Sequence, residues 1–152
     1  MEATLLDSWP DNDNDPNGGT SGLAASKAMK NRGEISAYHH ITSADELITT
    51  LLDVGTVCVG TNWYNSMFKP YSAYGNSYLN VDQMSGVAGG HEFLANGINL
   101  MPAAGEPYVR MKNSWGHYTW PGSHSGTARI LLDDLFSLVF DQGGDAILIT
   151  EV

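Results

Sequence analysis

Two helix-start signals stand in the first third of this chain, and short strand-like runs fill most of the remainder. That order constrains the fold more than any other feature. Ser43-Ala44-Asp45-Glu46 is a capping box, in which Ser43 and Glu46 can each satisfy a backbone donor of the other. It predicts a helix to about Asp53, with Leu47, Ile48, Leu51 and Leu52 as its buried stripe and Gly55 as its stop. Thr20 or Ser21 can cap an earlier helix over roughly residues 22–32, before Gly33. Its apolar face is expected to hold Leu23, Ala24, Ala28 and Met29.

Strand signals then dominate. Thr56 to Asn62 is a β-rich run and reads as a buried strand. Residues 63–80 read as a long loop, in which Tyr64, Tyr71, Tyr74 and Tyr78 cover a small barrel or line a groove. Further strands are expected over His91–Ile98, Tyr108–Lys112, Thr127–Leu131 and Ala146–Ile149, with a turn at Asn99–Pro107. Asp133 and Asp134 suit the positive N-terminal end of a short helix carrying Leu135, Leu138 and Val139. The fold class is therefore α+β, with a segregated antiparallel sheet or half-barrel. At 152 residues, with no internal repeat, one domain is expected, its residues 1–20 forming an irregular acidic segment.

Charge and composition exclude several functions. Seventeen acidic residues against 7 basic ones give a net charge of −10, which disfavours nucleic acid or an anionic membrane as partner. The N-terminus lacks a basic region followed by an apolar run, so no signal peptide is expected. No apolar stretch approaches the roughly 18 residues of a membrane span, and a soluble protein is expected. The one cysteine, Cys58, permits no intrachain disulfide. Between Val57 and Val59 it reads as a small inert hydrophobe.

No metal or other cofactor is expected. Asp11 to Gly19 imitates a calcium loop, but Pro16 stands where the turn glycine belongs and Gly22 where the bidentate Glu belongs. His39 and His40 are adjacent and would point to opposite faces of a strand. His117 and His124 lack companions at ligand spacing.

The residues that can carry chemistry are His91 and Asn113. A cysteine nucleophile needs a base that holds its thiolate as an ion pair, and an orienter for that base. Asn orients an imidazole without adding charge, and Trp115 could shield the bond between them from water. Gly89-Gly90 before His91 permits close approach of another chain or a substrate.

From about Ser21 to Val152 the chain resembles the C-terminal two-thirds of papain-like (C1-type) cysteine peptidases, in their divergent bacterial and phage forms. The matching pieces are Gly18-Gly19-Thr20-Ser21-Gly22 before a helix, Gly55 to Gly60 as a strand, and Asn62-Trp63-Tyr64 as a loop start. Gly89-Gly90-His91-Glu92-Phe93 matches the base strand and Asn113-Ser114-Trp115-Gly116 the orienter turn. Tyr118 to Gly122 matches the family's following Trp-Gly only in part. The resemblance implies His91 as general base, Asn113 as orienter, Trp115 as shield, and Gly90, Asn62 and Trp63 at the border of the substrate cleft.

The family's nucleophile starts a long helix upstream of every matched piece, preceded by a Gln that helps form the oxyanion hole. The resemblance thus implies that the helical, Cys-bearing lobe is missing from residues 1–152. Neither Ser21 nor Ser26 is marked as an activated substitute. Without a nucleophile and an oxyanion donor, the His–Asn pair cannot run acyl transfer. The first functional expectation is therefore a non-catalytic structural or interaction protein on a truncated peptidase scaffold, by analogy a phage virion component. Its apolar face, bared by the missing lobe, would be covered by a protein partner or by self-association. The alternative is the His- and Asn-bearing part of a split or processed cysteine peptidase acting on peptide or isopeptide bonds. An inhibitor or decoy rests only on the presence of the pair.

Overall fold

The computed structural model describes residues 20–116 and 126–151. The acidic loop at Asp11–Gly19, together with His117, Trp120 and His124, lies outside the described residues. Two helices flank the first strand: α1 over Gly22–Asn31 and α2 over Ala44–Asp53. Among the described residues, eight strands form one sheet: β1 Ala37–His40, β2 Val57–Tyr64, β3 Tyr71–Ala73, β4 Asn76–Tyr78, β5 Val87–Asn99, β6 Tyr108–Lys112, β7 Thr127–Leu131 and β8 Asp145–Thr150. A third helix, α3, spans Leu132–Phe136 and widens into a π turn over Ser137–Asp141. The sheet order is β1-β8-β2-β5-β6-β7-β4-β3, and it is antiparallel except where β4 meets β7 at Tyr78 and Arg129. The expected α+β class and segregated sheet are both present.

Strand alternation sorts residues to two faces. On β2, Val57, Val59, Thr61 and Trp63 are buried on one face. Phe93 and Ala95 of β5, Val109 and Met111 of β6, and Ala128 and Ile130 of β7 join that face. Leu47 and Leu51 of α2 and Leu135, Leu138 and Val139 near α3 close over it. Leu47 is fully buried, which is worth about 1.5–3 kcal/mol. The opposite face carries α1, packed on β8, β1 and β2.

The helices form where expected and pack somewhat differently. Ser21 caps α1, accepting the Ala24 N–H at 3.2 Å. The buried side of α1 is Gly22, Ala24, Ser26 and Ala28, a row of small residues, while Leu23 and Met29 are only half-buried. Small residues let α1 lie close to the sheet: a Cβ on Gly22 would sit 2.5 Å from Glu92 Oε1. In α2 the stripe is Leu47, Thr50 and Leu51, and Leu52 is 56% exposed. The capping box is half formed. Ser43 Oγ accepts the Glu46 N–H at 3.2 Å, but the Glu46 carboxylate accepts the Thr42 N–H at 2.8 Å rather than that of Ser43. The Thr42 bond, with the His39 contact, holds the Glu46 carboxyl below its ordinary range.

Residues 63–80 are not the single long loop expected. Asn65–Phe68 makes a 3-10 turn, and β3 and β4 form a hairpin around Tyr74 and Gly75. Both turn residues have positive φ, 50° and 71°, as a tight hairpin turn of the right twist requires. Tyr64 and Tyr78 are buried covers of the core, whereas Tyr71 and Tyr74 are exposed. Strand β1 was not anticipated. It is a mostly exposed edge strand with no apolar alternation to mark it.

Candidate functional site

Strand β5 is the element that positions the base. His91 lies opposite Thr61 of β2, and Phe93 lies opposite Val59. Alternation therefore puts His91 in the same row as Phe93 and Ala95, on the core face at the open end of the sheet. Asn113 follows directly after β6, in the row of Val109 and Met111. Its backbone N–H donates to Gly126 O at 2.9 Å, which ties the orienter turn to the start of β7. Gly126 has φ +71°, and a Cβ there would lie 2.7 Å from Gly116 O, so only glycine fits.

The structure brings His91 and Asn113 together, with His91 Nε2 2.9 Å from Asn113 Oδ1. Asn113 is 4% exposed. Its Oδ1 also accepts the Ser114 N–H at 2.7 Å. A backbone N–H can only donate, so the atom facing it is the amide oxygen. The imidazole nitrogen facing that same oxygen must then carry hydrogen. The tautomer is fixed: Nε2 is protonated, and Nδ1 of neutral imidazole keeps its lone pair. Burial pushes the His91 pKa below its ordinary value, and the Asn113 bond works against that. The imidazole is thus biased toward the neutral, proton-accepting form. The Asn113 Nδ2 group is buried and has no hydrogen-bond partner among the described residues.

Two indole rings hold the imidazole. Trp115 lies 4.6 Å from it at a tilt of 41°, and Trp63 lies 4.7 Å away edge-on. Trp115 also stacks on Phe68 at 5.6 Å, and Trp63 meets Trp115 at 5.4 Å. Trp63 is 2% exposed, so it forms the floor under His91 rather than the lip of a cleft. Asn62 is half-buried, and alternation directs its side chain to the opposite face from His91. Gly90 is exposed opposite Asn62, and a Cβ there would meet nothing within 4 Å. Phe68 was not among the sequence candidates. It sits in a short turn with no motif to flag it.

The described residues place no thiol beside His91. Cys58 alternates to the other face of β2, between Leu94 and Ile147 of the flanking strands. Burial, reinforced by the Glu92 and Asp145 charges, pushes its thiol up to about 11. Such a thiol is protonated and unreactive at neutral pH. Ser26 Oγ donates to Gly22 O at 2.8 Å within α1, and Ser21 is committed to its cap. Among the described residues, no cluster of three or more His, Cys, Asp or Glu side chains could hold a metal ion. None of the described helices is long and apolar enough to cross a membrane. The assembled group can take up and return a proton at His91 Nδ1, and the described residues add no attacking atom to it.

No protein-family model and no curated protein sequence matches the chain. Solved structures do. Xylellain, a cysteine protease from Xylella fastidiosa, matches with a TM-score of 0.59 and 22% identity over 78% of this chain and 41% of its own. Digestive procathepsin L 3 from the larval midgut of Tenebrio molitor matches at 0.54 and 18%, over 76% of this chain and 35% of its own. A procathepsin B from Trypanosoma congolense matches at 0.54 and 16%, over 78% and 36%. The chain spans less than half the length of each. Over more than three quarters of its residues, this chain has the fold of part of a papain-like cysteine protease.

Proposed function

We propose that this chain carries the base-and-orienter half of a papain-like cysteine peptidase site, acting on peptide or isopeptide bonds with a nucleophile supplied from outside residues 1–152. The observation that carries this reading is the 2.9 Å bond from His91 Nε2 to Asn113 Oδ1, with the ring between Trp63 and Trp115 and Nδ1 left without a hydrogen bond among the described residues. A scaffold needs no particular tautomer at a half-buried histidine, whereas a base needs this one.

In this reading a cysteine docks beside Nδ1 and passes its thiol proton to that nitrogen. The imidazolium and thiolate then stabilise each other, and the Asn113 oxygen, accepting from Nε2–H, stabilises the cationic ring. The thiolate attacks the carbonyl carbon, and the proton on Nδ1 leaves with the departing amine. Water, deprotonated at the same nitrogen, releases the acyl group and regenerates the thiol. The exposed rings of Trp115, which packs on His91, and of Phe68, which stacks on Trp115, at 39% and 47%, offer an apolar margin for the Cys-bearing segment. Of the three cleft residues expected, only Gly90 is exposed to meet substrate near that margin; Asn62 is directed to the opposite face and Trp63 is buried beneath His91.

The test is turnover of a fluorogenic peptide by the native assembly that contains residues 1–152. His91→Ala is expected to abolish turnover while the assembly keeps its mass. Unchanged turnover in that variant sinks the reading.

A second reading, a non-catalytic structural or interaction protein, is favoured by one observation. The chain's single cysteine lies on the wrong face of the sheet and is held protonated. In that case a protein partner or a second copy covers the same margin, and a phage virion is one setting for it. Neither reading involves nucleic acid, a membrane or a cofactor.

A further inference from the structure

A second recess lies away from His91. It is on the opposite face of the sheet, over β5, β6, β7 and β4, with a volume of about 410 Å3. That is within the range of roughly 300–1,000 Å3 typical of small-ligand sites. Arg110 and Arg129 line it, with Tyr108, Thr127, Asn99 and Ser77, and none of its described lining residues is a carboxylate.

The two arginines are directly opposite each other in the β6–β7 register. Like charges in that position repel and destabilise a sheet. The cost is unexpected in a chain with a net charge of −10 and only 7 basic residues. A single opposing Asp or Glu would relieve it, yet among the described residues neither arginine has an ion pair. Each guanidinium is instead anchored by neutral groups. Arg129 lies 4.0 Å over the Tyr108 ring and donates Nη1 to Tyr78 Oη at 3.0 Å. Arg110 donates Nε to Asn96 Oδ1 at 3.0 Å and Nη2 to Asn96 O at 2.9 Å. Arg129 Nε and Nη2, and Arg110 Nη1, keep their hydrogens without an acceptor among the described residues. Ser77, 3% exposed, adds a buried hydroxyl to the lining. Two positioned, charged forks converging on a polar hollow are the donor set that multi-oxygen anions require.

We propose that this recess binds a compact oxyanion, a small molecule bearing phosphate or carboxylate groups, held between Arg110 and Arg129. The site is independent of the peptidase reading, because it shares no residue with it and opens on the opposite face.

Pyrophosphate and citrate serve as probes of the two sources, titrated by calorimetry into the full chain at low ionic strength. Thermal unfolding is followed in parallel. Saturable binding of at least one probe is expected, weakening as sodium chloride is added. Pyrophosphate alone would assign the site to phosphate, citrate alone to carboxylate, and both to the shared chemistry. Arg110→Gln is expected to weaken binding by roughly tenfold or more, since it removes charge-assisted bonds. The same change should leave the anion-free melting temperature equal or higher, because it relieves the repulsion. Arg129→Lys keeps the charge, loses the planar fork, and should also weaken binding. Lys30→Gln removes a distant charge and should not. Absence of saturable binding to both probes overturns the proposal, and so does equal binding by Arg110→Gln and the unmutated chain.

Discussion

Replacing Asn113 by alanine separates what the His–Asn pair does for the site from what it does for the fold. The substitution deletes two hydrogen bonds to Oδ1, from His91 Nε2 at 2.9 Å and from Ser114 N at 2.7 Å. At about 1 kcal/mol net each, that is a loss of about 2 kcal/mol. It also removes a buried amide nitrogen that has no partner among the described residues, Asn113 Nδ2. A buried unsatisfied donor costs about 1–3 kcal/mol, so its removal returns a similar amount. The two nearly cancel, and Asn113→Ala should change folding stability by no more than about 1 kcal/mol. The site changes much more. The acceptor that raised the His91 pKa is gone while burial remains, so the pKa moves further down. The protonated nitrogen is no longer dictated, and both neutral tautomers populate. Urea unfolding midpoints at constant slope give the first quantity. Ring nitrogen chemical shifts of 15N-labelled His91 across a pH titration give the second. A loss of stability above roughly 3 kcal/mol would show that Asn113 is chiefly a structural residue. An unchanged tautomer would show that the amide oxygen does not orient the ring.

Three further outcomes are expected of the same structure. Cys58, with its thiol pushed up to about 11, should react only slowly with a thiol reagent at about pH 8 in the folded chain and at once in urea. Rapid labelling of folded protein would mean that Cys58 is open and ionisable. Glu92 is an exposed residue whose carboxyl is raised from 4.5 to about 7 by local desolvation, where its oxygens lie against Gly22 and Gly60, and by the Asp145 charge. The folded state therefore binds its proton more tightly than the unfolded state, and stability should fall as pH rises from about 4.5 to 7. Glu92→Gln should flatten that part of the profile and gain stability at the alkaline end, and an unaltered profile would refute the desolvation of its carboxyl. Leu47→Ala, at a fully buried position, should cost about 2–5 kcal/mol in denaturant unfolding. Leu52→Ala, at a position 56% exposed, should stay within about 0.5 kcal/mol, and equal losses would mean that α2 packs on its other side.

The parts of the fold that were legible in the sequence are those where local chemistry and burial agree. Tyr108–Lys112 and Thr127–Leu131 form strands at the expected bounds, because Val109, Met111, Ala128 and Ile130 alternate inward from partly exposed neighbours. Ser21 and Ser43 cap the helices expected of them because each side chain supplies an acceptor that a helix start lacks. The β3–β4 hairpin was hidden because Tyr74 takes a φ of 50°, a conformation that Asn or Gly advertises and Tyr does not. Strand β1 was hidden because an exposed edge needs no apolar pattern. Within the site, the His91–Asn113 pair could be expected, since both ends lie on recognisable words. The floor role of Trp63 could not. It depends on the register that sets Trp63 opposite Gly89, with the imidazole in the next place along the row. The paired arginines were equally invisible, because 19 residues of sequence separate two positions that one register brings face to face.

We propose above that the His91–Asn113 pair serves a nucleophile from outside residues 1–152. Native mass spectrometry of the protein isolated from its own source, with each polypeptide identified, tests it most directly. The native particle is expected to have a mass larger than residues 1–152 alone and to contain a Cys-bearing segment that an active-site thiol alkylator labels only while His91 is intact. A particle made solely of copies of this chain, or of this chain with proteins that carry no alkylatable cysteine near His91, would contradict it.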